Sequence, residues 1–71
     1  MPRKIRDLNR DLRKAGFTWR PGKGDHRVWE HSDLERPVVL DGQDGDDAKD
    51  YQELDVRDAL ALLRHARRRQ S

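Results

Sequence analysis

The chain has 71 residues, of which 32% are hydrophobic and 42% charged, with a formal net charge of +2. That length allows one small core, so residues 1–71 are expected to form a single, marginally stable domain that gains from a partner. The absence of cysteine excludes disulfides and cysteine-ligated metals. No apolar run suits a membrane span or a signal-peptide core, so a soluble, cytoplasmic protein is expected.

Charge is unevenly spread. Residues 1–31 hold nine Lys/Arg against four Asp/Glu, whereas residues 41–58 hold eight acids against two bases. Arg64, Arg67, Arg68 and Arg69 close the chain on a basic note. This polarity suits an anion-binding face and a separate acidic face, or simply a solvated surface of mixed charge.

Residues 3–15 read as a helix: Ile5, Leu8, Leu12 and Ala15 repeat at helical spacing, with Arg, Lys, Asp and Asn between them. Gly16 stands where a terminating glycine belongs, Arg13 and Lys14 occupy the last turn, and Pro2 is tolerable ahead of the first. Phe17-Thr18-Trp19-Arg20 alternates as a half-buried strand does, and Pro21-Gly22-Lys23-Gly24 breaks it. His26 to His31 is expected as a second strand. Arg36 to Asp41 is expected as a third, with Pro37 near its start. Short strands so close in sequence favour an antiparallel meander.

Gly42 to Asp50 reads as a polar loop. A last helix is expected to start near Glu53 to Asp55, with Asp55 as its cap. Val56, Ala59, Leu60, Leu63 and Ala66 mark its apolar face, and its arginines suit the negative end of the helix dipole. The expected fold is α+β, in the order α-β-β-β-α, with both helices on one face of a three-stranded antiparallel sheet. Phe17, Trp19, Trp29 and Tyr51 are the large aromatic contributors to its apolar area.

His26 is the candidate for chemistry. It follows Gly22-Lys23-Gly24-Asp25, and Lys23 and Arg27 lie close in sequence. Histidine exchanges protons near neutral pH, a glycine turn can present it, and cations can hold a phosphate. His26 and Trp29 are three apart, so if Trp29 packs under the helices, His26 stands on the open face with Val28 and Glu30. On the residues alone, a surface histidine without a role is the plainer reading.

The other candidates read mostly as structure. His31 suits a turn, and His65 suits a helix-end cation. The aspartates at 41, 44, 46, 47 and 50 fit no calcium loop: counted from Asp41, the sixth position is Asp46, and counted from Asp44 it is Lys49, where glycine is required. The Lys/Arg of the first helix, at 3, 4, 6, 10, 13 and 14, and Arg67-Arg68-Arg69 suit either a soluble face or an RNA backbone.

Lys14-Ala15-Gly16-Phe17, followed by Gly22-Lys23-Gly24-Asp25-His26-Arg27-Val28-Trp29-Glu30-His31, resembles the HicA family of toxins from bacterial toxin–antitoxin systems. Asp25 stands at a position often held by serine, and Trp29 is the aromatic residue three positions after the histidine. Ser32, rather than proline, follows His31. The likeness is best over about the first 40 residues, and the 42–51 loop is more acidic than the family pattern.

The resemblance implies a fold like that of double-stranded-RNA-binding domains. It implies an endoribonuclease that cleaves mRNA without metal or cofactor and is neutralised by a HicB-like antitoxin. It makes His26 the catalytic residue and Gly24 the residue that shapes its turn. With that chemistry, Lys23 and Arg27 are the candidate phosphate ligands, Arg27 as a bidentate donor. A non-catalytic RNA-binding module of the same fold is the alternative, and a protein-interaction domain using residues 41–58 is a third reading.

Overall fold

A computed structural model describes residues 3–70 of the chain, with side chains through Arg68. Pro2, expected ahead of the first helix, and the side chain of Arg69, expected in the last, lie outside the described residues. The first helix, α1, runs Ile5–Lys14. Lys4 precedes it in extended conformation, and the Asp7 carboxylate accepts the Lys4 N–H at 3.1 Å. That bond chiefly holds the Asp7 carboxyl below its ordinary value; desolvation opposes it, and Arg10, Arg3 and Arg6 add to it.

The end of α1 is a glycine-terminated Schellman motif. Gly16 adopts φ +97°, its N–H reaches Arg13 O at 3.1 Å, and the Phe17 N–H reaches Leu12 O at 3.0 Å. The Ala15 carbonyl, left over at this end, accepts a bond from Arg67 Nη2 at 2.9 Å.

Strands β1 (Thr18–Pro21), β2 (Arg27–Glu30) and β3 (Val38–Leu40) pair antiparallel in the order β1-β2-β3. Trp29 sits opposite Trp19 on one side and Val38 on the other. Alternation sends Trp29, Val38 and Leu40 into the core against Ile5, Leu8 and Leu12 of α1 and Val56, Ala59 and Leu63 of the last helix. Both helices therefore cover one face, as expected. Arg20, Val28 and Val39 line up across the other.

Two expectations need correction. The last helix, α2, runs Asp50–Gln70 and so begins ahead of Glu53, and Asp55 is not its cap. Its start is set by Gln52, whose Oε1 accepts the Lys49 N–H at 2.8 Å while its Nε2 donates to Asp41 Oδ1 at 2.6 Å. Gln52 is 1% exposed and extends the buried stripe one turn ahead of Val56. A polar residue in that stripe hides the first turn from a search for apolar periodicity.

The second correction concerns the aromatics. Phe17 and Trp29 are core residues, but Trp19 is 41% and Tyr51 52% exposed. Trp19 lies on an edge strand, and Tyr51 precedes the buried Gln52 in the first turn of α2. Among the described residues, no helix is long and apolar enough to cross a membrane.

Candidate functional site

The β1–β2 connection presents His26. The His26 N–H donates to Lys23 O at 3.1 Å, which closes a turn over Lys23-Gly24-Asp25-His26. Gly24 takes φ +60°, and among the described residues no non-glycine has positive φ, so Asp25 does not. Positive φ at the second turn position alone is the type II′ pattern, which asks for glycine there. Gly22 donates its N–H to His26 O at 2.8 Å, extending the hairpin pairing past Pro21 and Arg27.

Gly22 has a second task. A Cβ on it would stand 3.1 Å from His26 Cβ and 3.3 Å from Val28 Cγ2. Its missing side chain leaves room for the histidine and Val28, which share that side of the sheet by strand alternation.

The imidazole is held by backbone. His26 Nδ1 lies 2.6 Å from Lys23 O, the carbonyl that also accepts the His26 N–H. A carbonyl only accepts, and it has two lone pairs, so Nδ1 is the protonated nitrogen. The neutral ring then carries its free lone pair on Nε2. His26 is exposed, so that lone pair meets solvent or a ligand at the hairpin tip. A ring held this way can take up and release a proton at Nε2.

Of the other site residues expected from sequence, Gly24 and Lys23 belong to the same turn, and Lys23 is exposed. Arg27 does not join His26. Adjacent strand residues face opposite ways, so Arg27 turns to the helix side. There Asp44 Oδ1 lies 3.4 Å from its Nη1, and its guanidinium lies 4.7 Å from the centroid of the Trp19 ring.

The polar groups around Arg27 escaped the sequence reading. Trp29 Nε1 donates to Asn9 Oδ1 at 3.1 Å, and Asn9 Nδ2 donates to Asp44 Oδ1 at 3.1 Å. One signal was available. Asn9 is four residues from Ile5 on the buried face of α1, and a buried amide must find partners.

The acidic loop is not loose. The carbonyls of Asp46 and Asp44 accept the Ile5 and Arg6 N–H groups at 2.9 and 3.1 Å, satisfying open donors of α1. The Asp47 carboxylate meets Lys4 Nζ, and Asp41 anchors Gln52. Among the described residues, no group of three or more His, Asp or Glu side chains is placed to hold a metal ion.

His31 is also spoken for. Its Nδ1 accepts the Asp33 N–H at 3.0 Å, and its ring packs edge-on against Phe17 at 5.2 Å. His65 is exposed on α2.

No curated protein and no solved structure matches the chain. A model of a protein family does: it is described as the HicA toxin of bacterial toxin–antitoxin systems, and it matches residues 5–66, from the first residue of α1 into the last turns of α2. The first helix, the glycine-shaped hairpin, the sheet and most of the second helix fall within that match, and the chain belongs to the HicA toxin family.

Proposed function

We propose that this toxin is an endoribonuclease that cleaves mRNA, with His26 as its acid–base residue and no metal in the chemistry. The carrying observation is the tether from His26 Nδ1 to Lys23 O, which leaves Nε2 open at an exposed tip. In this reading Nε2 takes the proton of a ribose 2′-OH. The 2′-oxygen bonds to phosphorus, and the bond to the 5′-oxygen breaks. The new imidazolium and solvent are the proton sources for the leaving oxygen. The products are a 2′,3′-cyclic phosphate and a 5′-hydroxyl.

Lys23 is the lysine of the turn and would offset the charge that grows on the scissile phosphate. Arg27, on the other side of the hairpin, would hold a neighbouring phosphate. A HicB-like antitoxin would silence the toxin by covering the tip and excluding RNA from His26.

The test is cleavage of a defined mRNA by purified wild type and His26→Ala, with end-group analysis of the fragments and growth measured alongside. The expected result is cyclic phosphate ends from wild type and a loss of about 10²–10⁴-fold in the variant. Cleavage by the variant at the wild-type rate overturns the assignment. RNA binding without cleavage by either protein favours the non-catalytic module.

A further inference from the structure

A shallow concavity of about 320 Å³ lies between α1 and the β1–β2 hairpin. Its charge comes from Arg6, Arg10, Arg13 and Lys14 of α1 and Arg27 of β2. Arg6, Arg10 and Arg13 follow one another at spacings of four and three, so they share a face and span about 10 Å of helix. Arg10 is paired with Asp7 at 3.2 Å. Arg6, Arg13 and Lys14 form no side-chain ion pair among the described residues.

Arg13 and Lys14 stand side by side at the end of this stripe, neither with an ion-paired acid among the described residues, and a bound anion would relieve their mutual repulsion. The one carboxylate lining the groove is Asp44, and it touches Arg27 and Asn9 at one end. Trp19 borders the same end through Arg27 and is 41% exposed. An exposed indole beside a cationic groove is how proteins hold single-stranded nucleic acid. The groove adjoins the hairpin but opens on the side away from His26, because Arg27 and His26 face opposite ways.

We infer that this groove binds the phosphates of single-stranded RNA flanking the bond at His26, and that Asp44 weakens that binding by competing for Arg27. This rests on the RNA-cleaving reading above and adds a binding surface separate from the acid–base residue. The strand would cross the hairpin from the tip to the groove. A single strand is required because cleavage through the 2′-oxygen needs an in-line geometry that a paired helix resists. Asp44 occupies the place of one phosphate oxygen at Arg27, so an arriving strand must displace it.

The experiment uses a labelled 2′-O-methyl oligoribonucleotide, which binds but cannot be cut, titrated by fluorescence anisotropy across a range of salt. The proteins are wild type, Arg13→Ala/Lys14→Ala and Asp44→Asn, with cleavage of an ordinary RNA measured in parallel. The double variant removes exposed, unpaired side chains, and an unchanged melting temperature verifies its fold.

The expected result is about tenfold weaker binding by the double variant. The slope of log affinity against log salt becomes shallower by about 1.4, the loss of two single-strand phosphate contacts. Asp44→Asn should tighten binding about threefold, a gain that a merely structural residue would not produce. In cleavage, KM moves and kcat stays. Binding and salt slope within error of wild type in the double variant overturn the groove, as does a wild type that binds no RNA. If wild type binds through the groove but never cleaves, the groove stands and the nuclease reading falls. If it cleaves with KM unmoved in the variants, the nuclease reading stands and the groove falls.

Discussion

The hairpin tip at residues 22–26 and the acidic loop at residues 41–49 are both polar, glycine-containing connections, yet they are built in opposite ways. The tip is held by its own backbone: Gly22 N–H to His26 O, His26 N–H to Lys23 O, and the imidazole to that same carbonyl. It leaves its side chains outside. The loop spends its polar groups on the rest of the molecule, closing the start of α1 with two carbonyls and the start of α2 through Asp41 and Gln52. Apart from its glycines, a tip built this way can change its side chains without disturbing the fold, whereas the loop depends on the Asp41 side chain to hold Gln52.

Substitution tests that contrast directly, and the largest effect belongs to the tip. His26→Ala should reduce RNA cleavage by about 10²–10⁴-fold while the thermal midpoint stays within a degree or two of wild type. A large fall in the midpoint would mean that the imidazole is structural, and the contrast would fail. Next comes Gln52→Ala, the α2 residue that the acidic loop anchors. It strands the Lys49 N–H and loses both bonds to Asp41, so denaturant unfolding should show a loss of about 2 kcal/mol. The rate per folded molecule should hold.

Smaller again are the two glycines. Gly24→Ala meets no atom within 4 Å, so its cost is the positive φ alone, about 1 kcal/mol. Gly22→Ala puts a methyl against His26 and Val28 and should lower kcat more than it lowers stability. Comparing the two variants by kcat and by chemical denaturation separates strain from displacement of the imidazole. Equal losses of kcat per unit of stability would remove the distinction.

The smallest effect is at the start of α1. The Asp7 carboxyl is held below its usual value of 3.8, so its contribution to stability is in force above that pH and fades as the pH falls through the lower folded value. Asp7→Asn should therefore flatten the acid limb of stability below about pH 4, measured by thermal melts across pH. An acid limb as steep as that of wild type would show that other carboxylates dominate it.

Much of the fold was legible because its signals are local. The Ile5, Leu8 and Leu12 spacing with Gly16 marks α1, and Gly22-Lys23-Gly24 marks the β1–β2 turn, although Pro21, read as part of that break, is the last residue of β1 and pairs with Arg27. What stayed hidden depends on tertiary contacts. Alternation treats Trp19 and Trp29 alike, and only strand order makes one an edge residue and the other the centre of the core. Gln52 reads as loop because its partners, Asp41 and the Lys49 N–H, are invisible to a periodicity search. In the site, the turn around His26 was legible from glycine placement. The grouping of Arg27 with His26 followed nearness in sequence, whereas the one-residue offset on a strand sends the arginine to the other face. Asp44 gave no signal, since its contacts to Asn9 and Arg27 span 35 and 17 positions.

The double use of the Lys23 carbonyl has a consequence for how this surface can vary. The imidazole is steadied by a backbone oxygen, which every amino acid brings to that position. The side chain at residue 23 is thus released from any duty in aiming the ring. Its length and hydrogen-bonding groups can change without turning the histidine, and its charge answers only to the phosphate that the tip meets.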